Sequence, residues 1–200
     1  MSEEKESHMS KSSQFILQIS GAALFSALSL ILSLFVVPYL PRTPEGFAYF
    51  DPVSIVWVTC FLIFGPLAGV LCCGIGSLIL LPFDPFPIGP LMKFSATLSL
   101  IIIPILLLRI TKRKEGVRKS QKLKKVKNYI IYGLLGTGFR ILVMVILNIM
   151  VYLSFYGTLG LEIYILAIVI PLNALTSLWD LLIPYLIVFG AKLDSIFEIW

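Results

Sequence analysis

The chain has 200 residues, of which 58% are hydrophobic and only 14% charged, and its net charge is +5. Soluble domains carry about a quarter of their residues as charged side chains, so these proportions and a mean hydropathy of +0.96 exclude a water-soluble globule. The surplus charge has one source: Arg109 to Lys127 holds ten of the sixteen Lys and Arg and one acid, Glu115.

A short cationic loop between membrane spans stays on the cytoplasmic side, so this run orients every other segment. Clustered Lys and Arg also bind nucleic-acid phosphates. Here the run is confined to a linker between bilayer-length apolar stretches, and anionic lipid headgroups account for it. The partner expected from charge is the lipid bilayer, with no nucleic acid.

Residues 1–13 are polar and read as a disordered cytoplasmic tail, followed by one transmembrane domain over 14–200 with a basic cytoplasmic loop at 109–128. The first span, Phe15 to Val37, is long enough to cross a bilayer and closes at Pro38. One face carries Ser20, Gly21, Ala23, Ser26, Ala27 and Ser29. Ala23 and Ala27 form a small-xxx-small pair that lets another helix approach, either within the chain or from a partner.

Tyr39 to Asp51 is a Pro/Gly/aromatic outer loop. The apolar stretch Val53 to Phe83, at ~1.5 Å per residue, is ~46 Å long and too long for one ordinary span. Gly65-Pro66 interrupts it, which predicts two short helices, 53–64 and 67–82. A single kinked span, giving five helices, is the alternative. After the proline-laden loop Pro82 to Pro90 come spans at 91–108, 129–155 and 162–190, the last bent by Pro171 and Pro184. The expected fold is an all-α bundle of six transmembrane helices with both termini cytoplasmic.

Counting inward from the cytoplasmic helix ends places Lys93 at ~24 Å, Asn148 at ~28 Å and Asn173 at ~26 Å, one layer in the outer part of the membrane. Polar groups in hydrocarbon face each other or a polar cavity. Beneath two rigid aromatic loops, a ligand cavity is the favoured reading over a hydrogen-bond cluster that pins the helices. Arg140 at ~16 Å and Asp180 at ~15 Å share a second layer and form a predicted structural ion pair.

The chemistry of a catalyst is missing. No GxxxxGKS, HExxH or GxSxG pattern occurs. Cys60, Cys72 and Cys73 lie in apolar runs without metal-site spacing, and His8 is the only histidine. Neither a cofactor nor a metal is expected, and energy for any transport must come from elsewhere.

Several stretches resemble the substrate-binding S-components of energy-coupling-factor (ECF) transporters, the riboflavin-specific ones above all. They are YFDPVSIVWVTCFLIFGPLAG (49–69), ILNIMVYL (146–153), IPLNALTS (170–177) and, more loosely, KFSATLSLIIIP (93–104). The resemblance implies uptake of a vitamin through the prokaryotic cytoplasmic membrane. It implies partnership with a transmembrane coupling subunit, docked on Ala23 and Ala27, and with two ATPase subunits. It also implies a ligand held by the first outer loop and the fourth to sixth helices: by Asn148 and Asn173, with Lys93 and Thr176 nearby, and Gly46, Phe47, Tyr49, Phe50 and Asp51 as a lid. Two departures concern the ligand. Thr176 stands where riboflavin-type proteins have a lysine, and Asp51 is shifted from the usual acidic position. An S-component for another vitamin or precursor is the alternative within the class. Outside it stand a structural or assembly subunit and a lipid-acting membrane enzyme.

Overall fold

A computed structural model describes residues 10–43, 46–84, 86–110, 120–197 and 200. The described residues form helices joined by short turns, with no strand among them. In chain order these are α1 (Lys11–Phe35), α2 (Pro52–Phe64), α3 (Pro66–Leu80), α4 (Ile88–Ile110), α5 (Ser120–Lys124) and α6 (Val126–Tyr156). A long helix α7 (Leu161–Gly190) and a terminal turn α8 (Leu193–Phe197) complete the set. Four helices, beginning at Ser12, Ile88, Val126 and Leu161, are long and apolar enough to cross a membrane, while α2 and α3 are shorter. The protein is a multi-pass membrane protein.

The centre of the bundle is α2. Every residue from Pro52 to Phe64 is buried, and α1, α3, α4, α7 and α8 all pack against it. A helix apolar on all sides suits either lipid or a protein core, and the helices packed around α2 make it the core. Gly65 ends it with φ +99°, a left-handed region that glycine enters freely, and Pro66 starts α3 at the first position, where the N–H that proline lacks would have no partner within the helix. The two helices then run back along one another. Gly69 lies against Phe61 and Gly76 against Trp57, each so close that a Cβ would collide with the side chain opposite. The stretch is therefore a helical hairpin and not one kinked helix.

Around this hairpin, α1 buries Ala22, Ser26 and Ser29. Ser26 Oγ donates to the carbonyls of Ala22 (2.7 Å) and Cys72 (3.3 Å), tying α1 to α3. On the other side α4 and α6 meet through Gly136, whose missing side chain admits the Leu100 carbonyl. The described residues of the basic run mark one end of the bundle. There Lys124 pairs with Asp194 (2.8 Å), Tyr185 OH donates to the Lys124 carbonyl (2.8 Å), and Trp200 packs on Phe61 while its Nε1 donates to Leu62 O (3.1 Å). The described residues of the loops at 40–51, 81–87 and 157–160 lie at the opposite, distal end.

Two expected boundaries need correction. The tail expected at 1–13 gives way to helix at Lys11, because Ser10 Oγ accepts from the Ser13 N–H (3.1 Å) and caps it; residues 1–9 lie outside the described residues. The basic loop expected at 109–128 is helical at both margins, since α4 continues through Ile110 and α5 and α6 begin at Ser120 and Val126. Residues 111–119 lie outside the described residues. Within α7, π-helical segments occupy Ile165–Val169 and Leu186–Gly190, on either side of the α-helical Ile170–Tyr185 that contains Pro171 and Pro184. The first segment ends just before Pro171, which lacks the N–H that would close the preceding turn and crowds the carbonyl four residues back, and a wider turn there relieves both.

Candidate functional site

Polar residues inside the bundle gather in three clusters, each joining different elements. The deepest is centred on Arg140 of α6, whose guanidinium uses all three nitrogens on one face of α7. Nε donates to Asn173 Oδ1 (3.2 Å), Nη2 to Thr176 Oγ1 (2.9 Å) and Nη1 to Asp180 Oδ2 (2.6 Å). Positions 173, 176 and 180 fall on one stripe because three- and four-residue steps return to the same side of a helix. Asn173 Nδ2 donates to the Val169 carbonyl (2.9 Å), and Ser177 Oγ to the Asn173 carbonyl (2.6 Å). All of these side chains are buried, Asp180 completely.

Closer to the distal end, Asn148 of α6 meets Tyr164 of α7. Tyr164 OH donates to Asn148 Oδ1 (2.8 Å) and Asn148 Nδ2 donates to the Met144 carbonyl (2.8 Å). The Tyr164 ring stacks on Tyr152, with centroids 4.7 Å apart and planes at 28°, and Phe47 of the 40–51 loop approaches it at 6.1 Å. Tyr152 OH in turn donates to the Leu159 carbonyl (2.7 Å) and holds the α6–α7 turn. Among the described residues, each asparagine spends one acceptor and one donor on the protein. An amide has two of each, so both keep one acceptor site and one N–H.

The third cluster ties the loop to α4. Lys93 Nζ lies 3.1 Å from Asp51 Oδ2 and 3.3 Å from Oδ1. Asp51 also caps α2, accepting from the Val53 N–H (3.1 Å), and receives Ser54 Oγ (3.4 Å); Thr97 Oγ1 donates to Ser54 Oγ (3.1 Å). The loop is closed by an Arg42–Ala48 bridge, by Thr43 N–H to Phe47 O (2.8 Å), and by Gly46 at φ +88°. Beyond it Phe50 meets Trp179 edge-on at 6.3 Å. Tyr49, Phe50, Leu175, Trp179 and Ile183 line an open, wholly apolar hollow of about 420 Å³.

The residues singled out in the sequence are thus divided among separate clusters. Lys93, Asn148 and Asn173 do not meet: the first pairs with Asp51, the second with Tyr164, and the third joins Thr176 at Arg140 and Asp180. A depth ruler treats each residue as a point on its helix axis. It misses that a long guanidinium spans two turns of the neighbouring helix. Ala23 and Ala27 lie exposed on α1, beside the buried Ala22 and Ser26 stripe. Sequence reasoning passed over Tyr152, Tyr164, Ser54, Thr97 and Trp179. Spacing could have flagged Tyr152, one helical turn beyond Asn148 and on the same face.

A family model described as "ECF transporter, substrate-specific component" matches residues 18–190, from within α1 to the end of α7. No curated protein matches the chain.

Proposed function

The chain belongs to the family of ECF transporter substrate-specific components, and from that premise we propose that it captures a vitamin, riboflavin first, at the outer face of a prokaryotic cell membrane. Membership makes it a transport subunit, the one that binds the small-molecule substrate of an ECF importer and works with the importer's other subunits. In the fuller reading the α2–α3 hairpin brings the crossings to six, with the basic run and both termini in the cytoplasm. A transmembrane coupling subunit docks along Ala23 and Ala27, and two ATPases supply the energy.

The observation that carries the ligand reading is the Asn148–Tyr164 contact, framed by Tyr152 and Phe47 at the distal end. A flat heteroaromatic ring with polar edges needs both features: aromatic faces to stack on and an amide to recognise its edge. The hydrogen-bonding capacity left on Asn148 and Asn173 suits such an edge. Lys93 and Asp51 hold the loop that carries Gly46, Phe47, Tyr49 and Phe50 as a lid, and Thr176 steadies Arg140 beside Asn173.

Riboflavin leads because of the stretches at 49–69, 146–153 and 170–177. Thr176 in place of lysine favours the second reading, an S-component for a different vitamin or precursor. Purification in detergent followed by flavin absorbance and a thermal-shift panel of vitamins separates the two. A ligand at 100 times its Kd adds about 2.7 kcal/mol of stability. A shift with riboflavin alone supports the first reading and a shift with another vitamin the second. No shift with any vitamin would overturn the capture of vitamins.

A further inference from the structure

We propose that Tyr164 is a built-in occupant of the distal site, its phenol and ring standing where the ligand's donor group and ring would go, so that binding proceeds by displacing it. The inference rests on the ligand-site reading above and adds a residue that sets affinity from outside the set expected to touch ligand.

Three observations support it. Asn148 is 6% exposed, and the partner on its carboxamide oxygen is a side chain, Tyr164, and not backbone. A side-chain partner can swing away at little cost to the helix, whereas the Met144 carbonyl on the amide nitrogen cannot. Next, Tyr164 lies against two aromatic side chains from different elements, stacked on Tyr152 of α6 and tilted against Phe47 of the loop. A flat ring of similar size entering beside Asn148 would meet the same two faces. Finally, Tyr164 immediately precedes the π-helical turn Ile165–Val169, and Gly160, in a left-handed conformation at φ +76°, starts the helix one turn earlier. A π turn departs from the regular ladder of α-helical bonds, so the side chain that must move sits beside a break in that ladder.

The chemistry that displaces the phenol follows from what it leaves behind. Asn148 Oδ1 needs a hydrogen-bond donor, so the ligand presents an N–H or O–H at the edge of a planar ring. The apparent affinity is the intrinsic affinity reduced by the fraction of molecules in which Tyr164 has already swung out. Weakening the phenol–amide bond therefore tightens binding.

Titration of the full-length protein in detergent with riboflavin as the probe tests this directly. Tyr164→Phe keeps the ring and removes the donor, and should bind about two- to tenfold more tightly than the parent. Equal or weaker binding, with the parent binding normally, would overturn the displacement and leave the ligand reading standing. A parent that does not bind riboflavin counts against riboflavin as the ligand, and a second measurement then decides the role of Tyr164. With Cys60, Cys72 and Cys73 replaced and Asn148→Cys as reporter, adding Tyr164→Ala should raise labelling by an impermeant maleimide applied from the distal side, on the order of tenfold or more. An unchanged labelling rate would mean that Tyr164 does not cover position 148, and the proposal would fail.

Discussion

Arg140 Nη1 and Asp180 Oδ2 lie 2.6 Å apart with both side chains sealed inside the bundle. Taking two charges out of water costs several kcal/mol each, which their attraction and the added bonds to Asn173 and Thr176 offset. Removing one partner strands the other. Asp180→Asn and Arg140→Gln should each destabilise the detergent-solubilised protein by about 3–5 kcal/mol, and the double variant by clearly less than the sum. Thermal unfolding of the four proteins gives the coupling energy. Additive losses would show that the two residues act independently.

Gly136 and Gly138 make a matched pair on α6. A Cβ at Gly136 would sit 2.4 Å from the Leu100 carbonyl oxygen, a backbone atom of α4 that cannot step aside, while nothing lies within 4 Å of one at Gly138. Gly136→Ala should therefore push α4 and α6 apart and cost about 1–3 kcal/mol. Gly138→Ala should be neutral or stabilise by about 0.5–1 kcal/mol, through the lower helix propensity of glycine. Melting temperatures moving together would contradict the close approach.

The apolar stretches, the Gly65-Pro66 break and the basic run were legible because each is a local signal: hydropathy marks helices bound for lipid, and Gly-Pro marks a turn. The burial of α2 on every side was not legible, because helices exposed to lipid are just as apolar. What sequence could not supply was lateral arrangement. Depth along an axis says nothing of rotation about it, so Asn148 and Asn173, close in estimated depth, could not be assigned to separate partners. Asp51 shows the same gap. Its role as a helix cap is readable from Asp-Pro at a helix start, but its pairing with Lys93 joins residues 42 positions apart.

Asp51 performs two tasks that substitution can separate. It caps α2 through the Val53 N–H, and it holds Lys93. Asparagine is as good a cap as aspartate but carries no charge, so Asp51→Asn should keep the cap and lose the ion pair. Asp51→Ala should lose both, with a further cost of about 1 kcal/mol in unfolding free energy for the cap. If the pair anchors the 40–51 loop over the ligand, both variants and Lys93→Met should weaken vitamin binding to a similar degree. Binding that follows stability instead, weaker in Asp51→Ala alone, would assign the effect to α2 and not to the loop.

The exposed face of α1 is the place where folding and assembly can be told apart. Ala23 and Ala27 face outward, while Ala22, Ser26 and Ser29 on the adjacent stripe pack inside. Enlarging the outward pair should leave the bundle intact, because surface substitutions away from buried features change stability by about 0.5 kcal/mol or less. It should obstruct a second helix, because close approach of backbones in lipid depends on small residues at the contact. Ala23→Leu together with Ala27→Leu is expected to keep the melting temperature and ligand affinity of the parent while sharply reducing co-purification with the coupling subunit. Ser26→Leu, on the inward stripe, should do the reverse and lower stability first, since Ser26 Oγ lies 3.3 Å from the Cys72 carbonyl with no room for a larger side chain. Undiminished co-purification of the double leucine variant would place the docking surface elsewhere on the bundle.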